Sequence, residues 1–152
     1  MEKITRKAVH DIYGWLNDKN IVKFDKETRK AIIDICRALK PIAVAYEEDR
    51  KTAQDKIFAD HQEALEKRSR AFAALQEATT IEEKKKQIEY IASFVELKPL
   101  DKEFADYVIA MDAEEVEVEI AKMDEIAFVD GCEAAGVALS VSILDDLAIF
   151  FK

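Results

Sequence analysis

Two histidines and two cysteines supply the imidazole and thiol groups of this chain, the usual nitrogen and sulfur ligands of a protein-bound metal ion. A di-iron helical centre needs Glu-x-x-His pairs on facing helices, because the acid and the imidazole must project from one helix face. Three residues before His61 stands Phe58, and three before His10 stands Lys7, so both positions fail. Zinc-type spacing of His with Cys is absent too. His61 falls on an apolar seam and reads as a polar core or register residue. His10, beside Asp11, reads as surface. Cys36 and Cys132 stand alone in the sequence and read as small core residues of a protein in a reducing cytoplasm. Ser69, Ser93, Ser140 and Ser142 lie outside any Gly-x-Ser-x-Gly elbow, and no Gly-rich loop is present to cradle a phosphate. No metal or cofactor is expected.

The charged residues are more informative in groups. With 32 acidic residues, carboxylate pairs for acid–base work are so common that they carry little information. Most read as solvated helix faces held by pairs four residues apart, such as Glu82 with Lys86. Two basic clusters, Lys67-Arg68-Ser69-Arg70 and Lys84-Lys85-Lys86, flank Thr79-Thr80. If the chain turns there, Arg68, Arg70, Lys84 and Lys85 form a candidate anion site, completed between subunits. The alternative is a charge-balanced face neutralised by Glu66, Glu77, Glu82 and Glu83. Arg68 sits on the apolar seam, where an arginine needs an acidic mate or a ligand. The acidic strip from Asp112 to Glu133 lacks EF-hand spacing and reads as an aggregation-blocking strand edge or a surface for a basic partner.

The elements that position these residues are mostly helices. Gly 3 and Pro 2 leave few breakers, and 49% hydrophobic residues suffice for a core. A net charge of −9 disfavours nucleic acid and an anionic membrane surface as partners. The N-terminus has no apolar run resembling a signal peptide, and no uncharged stretch is long enough to span a bilayer. The protein is therefore expected to be cytoplasmic.

Val9, Ile12, Tyr13 and Leu16 predict a helix from Thr5 to Leu16, followed by an extended Ile21–Phe24 connection. Asp25 is the expected N-cap of the next helix. Ile32, Ile35, Leu39, Ile42 and Tyr46 then make a heptad seam. After the polar run Glu47–Lys56, a second seam resumes out of register with Phe58, His61, Leu65, Arg68, Phe72 and Leu75. One unbroken helix from Asp25 to Ala78 would be about 80 Å long. It either projects as a stalk or breaks, near Pro41 or in the polar run. At Pro41 a kink is favoured over a break, since no capping residue precedes it. Thr80 and Glu83 form a capping box for a helix with a seam of Ile81, Ile88, Ile91 and Val95, packed back on its predecessor. A short helix from Leu100 to Met111 follows. Strict alternation over Glu114–Lys122 predicts a strand. Asp130-Gly131 reads as a turn, and Val137, Leu139 and Val141 as a second strand paired with the first. Ser142 is the expected cap of a last helix to Phe151.

These features define a mainly α fold: a long helical hairpin or coiled-coil stalk with a small C-terminal α/β cap and a short two-stranded sheet. We read residues 1–152 as a single domain, with the hairpin at 25–95 and the cap at 112–152. Three segments carry a resemblance. They are Ala38-Leu39-Lys40-Pro41 running into Tyr46-Glu47-Glu48-Asp49-Arg50, the helix-to-strand passage from Phe104 to Ile120, and Leu-Ser-Val-Ser with its short helix from Leu139 to Phe151. In these the chain resembles a loose family of small, mostly uncharacterised phage proteins. It departs from them in its long helical middle, from Ile57 to Ala78. The resemblance implies a phage or prophage origin, in the host cytoplasm or the virion, and transfers no functional residue. The leading expectation is a non-enzymatic interaction protein that forms homo-oligomers through its helical seams. It would be a virion or assembly component, or would sequester a host protein. The alternatives are an oligomeric sponge for a small anion such as a nucleotide, and a carboxylate-dependent enzyme.

Overall fold

Thr5 has an extended backbone, and its side chain accepts a hydrogen bond from the Ala8 amide at 3.2 Å. That cap starts the helix α1 (Arg6–Asn17) in a computed structural model that describes residues 1–152. Val9, Ile12 and Leu16 are its buried stripe, as their spacing predicts. Asp25 caps the next helix, α2 (Lys26–Ile57): its carboxylate accepts from the Thr28 amide at 2.9 Å and the Thr28 hydroxyl at 2.7 Å. Of the first seam, Ile32, Ile35, Leu39 and Tyr46 are each nearly inaccessible to solvent, whereas Ile42 is only half-buried and Ala43 takes the buried position beside it.

α2 runs through Pro41 without a break. It stops at Ile57 instead, just after the polar run. Phe58 and the 3-10 turn Ala59–His61 separate it from α3 (Gln62–Glu77). Phe58 itself is buried in a cluster with Phe94 and Leu97, and its ring meets the edge of Phe104. The polar run offers nothing to bury, so the chain turns where the first large apolar residue finds a core.

A three-residue link joins α3 to α4 (Ile81–Ala92), and the two pack as a hairpin. Thr80 caps α4 through the Glu83 amide at 3.2 Å. The Glu83 carboxylate reaches back to the Thr79 amide at 3.3 Å rather than to Thr80, a shifted form of the expected box. After a 3-10 turn at Val95–Leu97 comes α5 (Lys98–Ala113). Pro99 fits in its first turn, where a missing amide hydrogen breaks no helical bond.

The sheet corrects the sequence reading. Its strands are β1 (Glu2–Thr5) and β2 (Glu115–Val118), antiparallel, with Ile4 opposite Val116 and Lys3 opposite Glu117. The Val/Glu alternation identified a strand but not its partner. Residues 137–140 are not a strand, because they close and open helices. α6 (Glu125–Ala134) ends with Gly136 at φ 71°, whose amide donates to Glu133 O while Val137 N donates to Cys132 O at 2.9 Å. Ser140, not Ser142, then caps α7 (Val141–Leu147) through the Ile143 amide. Asp130-Gly131 is no turn but lies within α6.

Two compact units result. One comprises Met1–Asp49 with Ala110–Lys152, the other Arg50–Ile109, and α2 and α5 each contribute to both. The segment 112–152 shares a core with the N-terminal residues: Val9, Leu16 and Ile35 are buried in one cluster with Phe128, Cys132 and Phe150. The 25–95 segment is divided between the units. No helix is long and apolar enough to cross a membrane.

Candidate functional site

The four cations expected to hold an anion have separate fates. The Arg68 guanidinium, on α3, donates to both carboxylate oxygens of Asp101 in the first turn of α5, at 2.6 and 2.7 Å. This two-pronged pair is the strongest geometry available to the two groups. Hydrogen bonding to Asp101 raises the guanidinium above its ordinary pKa, outweighing burial. The acidic mate that the seam position demanded is thus intramolecular. Arg70 is exposed and pairs with Glu66 one turn back at 2.8 Å. Lys67 does the same with Glu63 at 2.9 Å. Lys84 and Lys85 are exposed on α4 without an ion pair.

The histidines also resolve. His61 is half-buried in the 3-10 turn. His10 is drawn into a polar cluster that its neighbour Asp11 did not reveal. Its Nε2 lies 2.5 Å from Glu47, and its ring stacks at a tilt on Tyr46, 4.6 Å between centroids. The buried Tyr46 hydroxyl donates to Asp112 at 2.5 Å. Arg6 bridges Asp49 at 2.7 Å and Glu114 at 3.2 Å. Burial alone would lower the Arg6 pKa, but those two carboxylates hold it above its ordinary value. The cluster clamps α1 to α2 and to the end of α5, and its groups are spent on one another. No three side chains among His, Cys, Asp and Glu are grouped as metal ligands. The two cysteines are free thiols, Cys132 buried and Cys36 half-buried, and burial raises the pKa of both.

Two surfaces remain with unspent interaction capacity, one in each unit. On α4, no residue is fully buried: only Gln87 and Ile91 are half-covered. Ile81 is 85% exposed, Ile88 55% and Val95 62%, and these three stand seven residues apart. Phe72 on α3 is also largely exposed. The seam was legible in the sequence; that its outer members find no partner within the chain was not.

The second surface was missed. A cleft of about 270 Å³ between the end of α1 and the first half of α2 continues into one of about 490 Å³ along α2. Six cations line it, against a single acid, Asp34. The sequence held a signal: Lys26, Lys30, Ile33, Arg37 and Lys40 repeat at four, three, four and three residues, in phase with α2.

No protein-family model matches the chain, and neither curated proteins nor solved structures give a match.

Proposed function

We propose that this is a non-enzymatic interaction protein that self-associates through the outer face of α4. The observation that carries the reading is the pair of exposed residues Ile81 and Ile88 on a helix that buries none of its own residues fully, continued by the exposed Val95 in the 3-10 turn beyond it. Covering one isoleucine contributes roughly 1.5–3 kcal/mol, and a two-fold interface brings each residue in twice. That gain is set against the loss of translational and rotational freedom on association. The neighbouring Lys84, Lys85 and Lys86 keep the face from collapsing indiscriminately and favour a register that sets them against Glu82, Glu83 or Glu89 of the second copy.

Light scattering after size exclusion tests this on a protomer of 17.3 kDa. The expected result is a dimer or larger species at micromolar concentration, reverting to the protomer mass in Ile81→Glu/Ile88→Glu with unchanged helical circular dichroism. A wild-type chain that stays at 17.3 kDa at every concentration refutes the reading. A phage-encoded origin, taken from the sequence resemblance, would make the assembly a virion component or a trap for a host protein. Neighbouring genes of a head or tail module, or of an early module, distinguish the two.

A further inference from the structure

The cleft on α2 carries an independent inference. Its floor is apolar, formed by Leu16, Ile21, Ile32 and Ile33, and Val22 on the adjoining stretch is 70% exposed. Its walls carry Lys19, Lys26, Arg29, Lys30, Arg37 and Lys40. Asp34 neutralises only part of this, pairing with Lys30 at 2.7 Å and more loosely with Arg37 at 3.9 Å. Six cations against one acid leave a local excess of five positive charges in a chain whose net charge is −9.

Helix stability does not account for this arrangement. Lys26, Arg29 and Lys30 stand at the opening of α2 beside the capping Asp25 and Glu27, where the helix dipole favours the two acids and disfavours the cations. Lys26 and Lys30 are also like charges four residues apart, which repel on a helix surface. Lys26, Arg29 and Lys40 make no ion pair that would offset either effect. From Lys26 to Lys40 the cations extend over about 21 Å of helix at 1.5 Å per residue.

We infer that this cleft is a docking groove for an acidic amphipathic helix, about four turns long, supplied by a partner protein. The shape argues for a helix. A small anion is held by polar groups converging on one point in an enclosed pocket, whereas these cations are strung along an open trough. A β-strand would need free backbone donors and acceptors, and α2 has spent its own within the helix. The docked helix lays its apolar residues on Ile21, Ile32 and Ile33 and sets its carboxylates against the cations on both walls.

The probe is a fluorescein-labelled peptide of about 16 residues, with Leu at helical spacing and Glu elsewhere, titrated into the full chain and followed by anisotropy. A scrambled peptide of the same composition is the control. Saturable 1:1 binding is expected, about tenfold or more tighter than for the scramble, and weaker by a similar factor in Arg29→Glu/Lys40→Glu. Binding weakens between about 0.05 and 0.5 M salt as the wall charges are screened. Bound peptide slows alkylation of Cys36, which lines the cleft, while Cys132 is buried in either state. Should the reversal variant lose helicity, Lys26→Gln/Lys40→Gln must give the same ordering. Any of four results overturns the inference: no saturation, equal affinity for the scramble, unchanged affinity in the variants, or single-stranded DNA competing as well as the peptide. A change of oligomeric mass in the charge variants also overturns it, since the occupant would then be a second copy.

Discussion

Gly131 sits in the interior of α6, where alanine would ordinarily be the better residue by about 0.5–1 kcal/mol. The structure predicts the opposite sign for Gly131→Ala. A Cβ at this position would lie 2.2 Å from Phe24 Cδ1 and 2.6 Å from Cε1. That is about 1.3 Å or more inside ordinary carbon–carbon contact. The ring has little room to retreat: Phe24 is buried and lies 5.7 Å, between centroids, from Phe128, which in turn meets Trp15 and Phe151. Overpacking of this kind costs about 1–3 kcal/mol, and this contact belongs at the upper end. Subtracting the propensity gain leaves a net destabilisation of about 2 kcal/mol, or roughly 4–8 °C in Tm for a chain of this length. Trp15 is the only tryptophan and stands 6.4 Å from Phe128, so its fluorescence in a urea titration reports on this unit. Gly14→Ala is the matched control. Nothing lies within 4 Å of its added carbon, so it should stabilise by about 0.5–1 kcal/mol. Phe24→Leu should relieve part of the Gly131→Ala penalty, giving a coupling term in a double-mutant cycle. A Gly131→Ala protein as stable as wild type refutes the packing argument.

The remaining predictions concern hydrogen bonds of the same unit. The Thr28 amide and hydroxyl hold the Asp25 carboxyl below its ordinary pKa of 3.8. Its stabilising contribution is therefore complete above the unfolded value and is lost as pH falls through the lower folded value. Asp25→Asn keeps a capping oxygen but removes the titration, so an acid titration of Trp15 fluorescence should lose part of its dependence below pH about 4. An identical acid limb in the two proteins counts against the cap. Tyr46→Phe should destabilise by about 1.5–3 kcal/mol, since it removes a buried hydrogen bond to a carboxylate. A urea midpoint within error of wild type would show that this bond contributes nothing net.

Helix identity was legible in the sequence because it rests on local chemistry. Val9, Ile12 and Leu16 announce a buried stripe, and Thr80 with Glu83 announces a helix start, using only residues a few positions apart. What was illegible depends on distant residues. β2 alternates plainly, but its partner is the N-terminal Lys3-Ile4, more than 100 residues away. Gly131 next to Asp130 looks like a turn until Phe24 is placed against it. Gly136 and Ser140, spaced to close one helix and open another, take up residues whose alternation imitates a strand. The candidate site divided in the same way. Arg68 advertised its need for an acid, yet Asp101 is 33 residues on. The α4 seam was visible, while the exposure of Ile81 and Ile88 depends on how α4 packs against α3.

α2 shows why the charged groove escaped notice while the core beside it did not. Both follow the same helical repeat: Thr28, Ile32, Ile35, Leu39 and Tyr46 face the interior, while Lys26, Lys30, Ile33, Arg37 and Lys40 line the cleft. Hydrophobic periodicity detects the first set and treats the second as solvated surface. Charge order separates a solvated face from a working one. A helix stabilised by its surface charges carries acids at its start and cations at its end. α2 opens with Lys26, Arg29 and Lys30 against the capping Asp25 and Glu27, and its acidic run Glu47-Glu48-Asp49 comes after the cleft, ahead of Lys56 in the last turn. Asp25 and Glu27 at its start and Lys56 at its end already suit the dipole, so the unpaired Lys26, Arg29 and Lys40 add nothing to it and are left for something outside the helix.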